Sequence, residues 1–281
     1  MFSIFQFFFS PRVWNYGLVG IGEKWDAGSV MLFIGCLLAI AAAGYLCGSV
    51  NSAIILTRFV YKEDIRQKGS GNAGMTNVMR TYGFVPALVT LLGDMLKVVV
   101  GMMVGTLLFG IPGAYIGGLF SVIGHIAPVF YKFKGGKGVG TMFMFILYVD
   151  SVAFLVIGIL FILIVWATKY LSLGSVICSL IMPLILNNFE KGMAVHRYFA
   201  IVRLTVALVI GLTVFYKHRA NVSRIMNKTE SKFSFKKTKK KSDIEAEQQA
   251  LQSEDDMEEE LTPEVLARKE ANRKKSAKKK K

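Results

Sequence analysis

Residues 68–80, KGSGNAGMTNVMR, follow directly on a run of mostly apolar residues. Gly69, Gly71 and Gly74 allow positive φ and let backbone N–H groups approach a small anion. Ser70, Asn72, Thr76 and Asn77 add hydroxyl and amide donors, and Arg80 offers a planar fork that suits phosphate. Taken alone, the segment also fits a helix–helix turn that uses glycine only for close packing. The rest of the chain has to choose.

Composition sets the surroundings. Of 281 residues, 53% are hydrophobic, and the mean hydropathy is +0.46. Those values are high for a soluble domain and normal for a polytopic membrane protein. The net charge of +15 sits in polar loops and the C-terminal tail, while the apolar runs hold few charges. Such a distribution suits a membrane protein facing anionic lipid and argues against nucleic acid as a partner. Cys36, Cys47 and Cys178 lie in apolar runs without metal-ligand spacing. They read as small buried hydrophobes, and neither a metal nor a cofactor is implied.

A spanning helix needs roughly 20 apolar residues. Candidate runs cover residues 30–57, 84–109, 114–130, 171–186 and 198–216, with a longer tract, 139–167, interrupted by Asp150. The loop 58–80, the loop YKFKGGK and the tail from YKHRANVSR are all basic, so the positive-inside rule puts them on the cytoplasmic face. A single crossing by 139–167 would strand the lysine-rich tail outside. A turn near Asp150 returns it. The expectation is an all-α polytopic membrane protein of about seven transmembrane helices, some short, with Lys191 and Arg197 left on the far side.

Three regions result. Residues 1–28 form an extension whose MFSIFQFFFSPRVW has no basic leader or small-residue cleavage site and reads as an interfacial aromatic anchor. Residues 29–230 form the membrane domain. Residues 231–281 alternate base, acid and base with few apolar side chains, the composition of a disordered, lipid-attracted cytoplasmic tail.

Two further segments fall on the face of the first loop. KFKGGKGVGT, residues 132–141, opens an apolar tract with Lys134, Gly135, Gly136, Lys137 and Gly138. It is not a Walker A loop, because Tyr131 stands at the first glycine position and Gly138 follows Lys137. What remains is a glycine-rich, lysine-bearing helix N-terminus, which is a phosphate cradle. HRANVSR, residues 218–224, places His218 and Asn221 three apart on one helical face, with Glu230 following. Arg219 and Arg224 are expected to point toward lipid headgroups. Asp94 and Lys97 are charges within an apolar run, which mark function or a buried pair. His125 precedes the second cradle as a supporting hydrogen-bonding residue. His196 belongs to none of these segments.

The ordered segments GSGNAGMTNVMR, GHIAPVFYKFKGGKGVGT and HRANVSR resemble the PlsY family of bacterial glycerol-3-phosphate acyltransferases over about residues 30–230. The resemblance implies seven helices in the bacterial inner membrane, with the motifs at the cytoplasmic side. It implies transfer of a fatty acyl group from acyl phosphate to glycerol 3-phosphate, yielding lysophosphatidic acid and phosphate. A soluble acyl-phosphate synthase of the PlsX type is the implied supplier. By motif position, Ser70, Arg80, Lys137 with its flanking glycines, His218 and Asn221 carry the function. Met75 and Gly140 stand where the family usually has alanine, and Val98 and Lys228 where it has glycine.

The residues agree with that chemistry. Acyltransferases of the soluble type use an H-x-x-x-x-D pair, but Phe130, Ile201 and Ser223 stand five beyond the three histidines. Acyl phosphate is a mixed anhydride with a good leaving group, so orientation and charge stabilisation can supply much of the catalysis. Positioning of the acceptor hydroxyl by His218, Asn221 and Ser70 is the expected mode; His218 as general base is the competing one. The alternative function is a membrane transporter or channel for a small phosphorylated solute. Cradles at one face, and no inverted repeat with broken midplane helices, count against it.

Overall fold

A computed structural model describes residues 27–189 and 200–233. The N-terminal extension, Lys191, His196, Arg197 and the tail beyond Phe233 lie outside the described residues. All regular structure among the described residues is helical.

Residues 30–57, expected as one run, form two helices, Ala27–Ser49 and Ser52–Val60. Asn51 causes the break: its backbone is extended and its side chain accepts the Ile54 N–H at 3.0 Å, capping the second helix. The interruption also frees the Val50 carbonyl from helical pairing.

Helix Phe84–Ile126 has 43 residues. Straight, it would reach ~65 Å, about twice the hydrocarbon thickness. It turns back at Phe109 and Gly110, which have non-helical backbones, Gly110 at a φ of 61°. A Cβ on Gly117 would stand 2.3 Å from the Gly101 carbonyl oxygen, and one on Gly113 2.1 Å from that of Gly105. These pairs are symmetric about Phe109, as antiparallel halves demand. Helix Ala27–Ser49 runs parallel to the second half, since Gly44 abuts Gly117 and Gly48 abuts Ser121. Ser49 and Ile126 therefore lie at one end of the bundle, and there Arg66, in the loop after Val60, donates to the Tyr131 carbonyl after Ile126 at 3.1 Å.

Asp150 interrupts the next tract where the charge argument requires a turn. Its carboxylate accepts the Ala153 N–H at 2.8 Å, ending Val139–Val149 and capping Ser151–Thr168. Phe143 meets the rings of both Phe154 and Phe161, at 6.2 and 5.3 Å, so the second helix doubles back. Lys169, left-handed at a φ of 63°, leads into Leu171–Phe189. Ala200–Lys217 and Arg219–Met226 complete the described helices. Met102, Phe145, Ile146, Ile157, Met182 and Ile210 are fully buried where they meet.

Among the described residues, four stretches are long and apolar enough to cross a membrane: Val30–Val60, Phe84–Tyr131, Ser151–Thr168 and Ala200–Lys217. The expected count of seven would require taking the halves of Phe84–Ile126 separately and adding the two shorter apolar helices.

Candidate active site

The first loop is built around Asn77. Its side chain is buried, with Oδ1 accepting the Ser70 N–H at 2.9 Å. Its Nδ2 lies 3.1, 2.9 and 3.1 Å from the carbonyl oxygens of Ile65, Lys68 and Asn72. Asn77, expected to contact phosphate, has both ends of its amide engaged within the loop and ties it together. Gly69 lies so close that a Cβ would stand 2.2 Å from Asn77 Oδ1, at a φ of 56°. Gly71, expected to offer its N–H to phosphate, donates it to the Lys68 carbonyl at 3.0 Å and closes the turn. Its φ of 73° is the left-handed conformation that this closure requires, so Gly71 shapes the loop. This frame leaves Ser70 exposed and Asn72 and Thr76 half-buried. Arg80, in the last turn of Met75–Tyr82, makes no hydrogen bond or ion pair with the described residues and is available to an anion.

The second loop leads into helix Val139–Val149 through Gly138, whose φ is 87° and which supplies no capping side chain. The first N–H groups of that helix are thus unclaimed by a cap. Lys134 is exposed. Lys137 turns inward and donates to Asn221 Oδ1 at 2.7 Å. Burial lowers its pKa to about 8, with Arg224 and Arg80 adding to the effect and Glu230 opposing it.

His218 stands at the N-terminal boundary of Arg219–Met226 and is buried, as is Asn221. His218 Nδ1 lies 2.8 Å from the Val214 carbonyl oxygen. A carbonyl only accepts, so Nδ1 carries the hydrogen and Nε2 keeps its lone pair. Burial lowers the imidazole pKa to about 4, with the nearby Lys137 charge contributing, so His218 is neutral at ordinary pH. Glu230 anchors this segment. Its Oε1 accepts from Asn221 Nδ2 and from Ser172 Oγ, each at 2.7 Å, and its Oε2 accepts from Arg224 Nε at 2.7 Å. Burial pulls the carboxyl upward, but these hydrogen bonds hold it below its ordinary value. Arg224, expected toward lipid, is neutralised by Glu230 instead. Ser172 carries no sequence signal, being one serine at the head of an apolar run.

Asp94 and Lys97 do pair at i,i+3, with Nζ 2.8 Å from Oδ1, and His125 joins them. A Cβ on Gly136 would stand 2.1 Å from His125 Nε2, which places this buried cluster directly beneath the second loop. Gly138 packs against Val214, the residue to which His218 is bonded. The second and third segments thus share one neighbourhood, and the Arg80 charge of the first reaches it.

A family model described as glycerol-3-phosphate acyltransferase matches residues 38–228, a span containing Ser70, Arg80, Lys137, His218 and Asn221. The chain belongs to that family. It is 37% identical over 201 residues to the glycerol-3-phosphate acyltransferase of Finegoldia magna, covering 70% of this chain and 96% of the relative. The corresponding protein of Carboxydothermus hydrogenoformans is 33% identical over 207 residues, covering 74% and 99%. A crystal structure of PlsY, an integral membrane glycerol 3-phosphate acyltransferase in its glycerol 3-phosphate form, is similar with a TM-score of 0.64 at 32% identity, over 70% of this chain and 96% of that one. The lysophosphatidic acid form gives 0.62 at 31%, over 71% and 96%. As a member of the glycerol-3-phosphate acyltransferase family, the chain is an integral membrane protein.

Two departures from the family pattern fall at backbone positions that the structure describes. Lys228 has a φ of 58°, which explains the family's glycine there, while nothing in the structure explains the lysine. A Cβ on Gly140 would stand 2.8 Å from Leu91 Cδ1, so the glycine makes room for that leucine.

Proposed function

We propose that the protein transfers a fatty acyl group from acyl phosphate to glycerol 3-phosphate, forming 1-acyl-glycerol 3-phosphate and inorganic phosphate. The observation that carries this reading is the Lys137–Asn221 bond. It joins residues 84 apart and draws a phosphate-type loop onto a neutral histidine. Arg80, Lys137 and the free glycine-loop N–H groups bind phosphate oxygens. Ser70 and His218 orient the acceptor, while Asn221, its amide held between Lys137 and Glu230, keeps the ammonium at the site. His218 Nε2 accepts the hydrogen bond of the attacking hydroxyl; a pKa of about 4 makes it a weak base, which favours positioning over general-base catalysis.

The hydroxyl oxygen bonds to the acyl carbon, and the acyl–phosphate bond breaks with its electrons passing to phosphate. The hydroxyl proton leaves with that phosphate as hydrogen phosphate. Cationic groups fixed where the charge develops lower the barrier without a dedicated strong base. The three segments and the tail face the cytoplasm of a bacterial inner membrane, residues 29–230 form the catalytic domain, and a soluble acyl-phosphate synthase supplies the donor. Purified protein in lipid, given acyl phosphate and glycerol 3-phosphate, should form lysophosphatidic acid. No acylated product from either phosphate-bearing substrate would refute the assignment.

A further inference from the structure

The buried cluster under the second loop has a defined donor count. A lysine ammonium has three N–H bonds. Lys97 Nζ has three acceptors in reach: the Val50 carbonyl oxygen at 2.6 Å, Asp94 Oδ1 at 2.8 Å and His125 Nδ1 at 3.0 Å. Asp94 Oδ1 is 3.6 Å from His125 Nδ1, too far for a hydrogen bond. The ammonium therefore occupies the Nδ1 lone pair, and the imidazole carries its hydrogen on Nε2. That nitrogen lies against Gly136 of the second loop. The position of a Cβ on Gly136 lies 2.1 Å from His125 Nε2 and 3.0 Å from the Ala73 carbonyl oxygen of the first loop. Asn51 Nδ2 donates to that same carbonyl at 3.3 Å, and the Gly136 N–H returns to the His125 carbonyl at 3.1 Å.

We infer that Asp94, Lys97 and His125 form a positioning triad that holds His125 as the Nε2–H tautomer and sets the spacing between Ala73 of the first loop and Gly136 of the second. The helix break after Ser49 belongs to the device, because it presents the Val50 carbonyl that orients Lys97 from one side while Asp94 holds it from the other. The inference rests on the reading that both loops serve one reaction.

The tautomer is measured without turnover. The chain has three histidines, so H196Q/H218Q protein labelled with 15N-histidine leaves one imidazole to observe. Its spectrum should show a protonated Nε2 and a bare Nδ1; an Nδ1–H tautomer or an imidazolium would overturn the triad. Kinetics supply the second readout. Glutamine places an amide N–H near the imidazole Nε2 position, whereas asparagine reaches only the Nδ1 position. H125N should raise KM for both phosphate substrates on the order of tenfold, and H125Q should stay within about threefold of the parent. Loss of folded protein alone lowers turnover and leaves KM unchanged. Parental KM values in H125N, or equal impairment of H125Q, would refute the positioning role. If neither variant folds, the imidazole spectrum decides. Parent protein that made no lysophosphatidic acid would refute the proposed reaction, and the spectrum would still judge the triad.

Discussion

Glu230 Oε1 accepts the Asn221 amide at 2.7 Å, and this contact fixes which end of that amide faces Lys137. With its nitrogen held by the carboxylate, Asn221 can present only oxygen to the ammonium. The pairing makes Asn221 a hinge between an anchor and a charge.

Asn221→Asp tests the hinge. It would set a second carboxylate oxygen against Glu230 in a buried site, where like charges repel and both resist ionisation. Loss of a hydrogen bond to a charged group costs about 1.5–3 kcal/mol, so kcat/KM should fall roughly 10- to 150-fold. Near-parental kinetics would show that the amide orientation is immaterial.

The pH profile follows from the two shifted groups. Lys137 must be an ammonium, so kcat/KM should fall as pH rises through about 8. His218 must be neutral, so activity should also fall as pH drops toward about 4, with the second ionisation of the substrate phosphates near ~6 adding to the acid side. Lys137→Arg keeps its charge far above pH 8 and should move the alkaline limb upward even if it lowers the maximum. An unmoved limb would assign it to another group.

Arg80 has no internal partner among the described residues, so Arg80→Ala should leave thermal stability nearly unchanged. Its kcat/KM should fall roughly 10- to 150-fold, the value of one charged hydrogen bond. A large drop in melting temperature with ordinary kinetics in the remaining folded protein would make Arg80 structural.

How much of this is legible in the sequence depends on the residue. Apolar runs, charge asymmetry and Asp150 predict the helices and their reversal, because burial and helix capping act locally. Gly69, Gly71 and Gly138 announce positive-φ loops for the same reason, but not which of their N–H groups the turn itself consumes. The loop-tying bonds of Asn77 are not legible, because its partners, the carbonyls of Ile65, Lys68 and Asn72, are backbone groups that every residue type carries. Ser172 and the Arg224–Glu230 pair depend on helix packing, which leaves no periodic trace. Asn51 is readable in principle as a helix cap, but the apolar residues around it mask the break.

Orientation in the membrane is open to chemical labelling. In a cysteine-free background, S151C beside the Asp150 turn should react with an impermeant thiol reagent on intact cells. K132C, in the exposed second loop, should react only after permeabilisation. The reverse pattern would invert the topology and detach the site from a cytoplasmic substrate supply.

In the proposed reaction, fixed positive groups stabilise a departing phosphate while the acceptor is merely positioned, and a comparison of donors tests this most directly. Initial rates of lysophosphatidic acid formation should be compared for acyl phosphate and for an acyl thioester of the same chain length, at equal concentration, in protein free of other acyltransferases. Acyl phosphate should turn over with one phosphate released per product, and the thioester should give little, because its leaving group is a thiolate and not a phosphate whose oxygens Arg80 and Lys137 can bind. Comparable rates with the thioester would contradict this mechanism even with lysophosphatidic acid as the product.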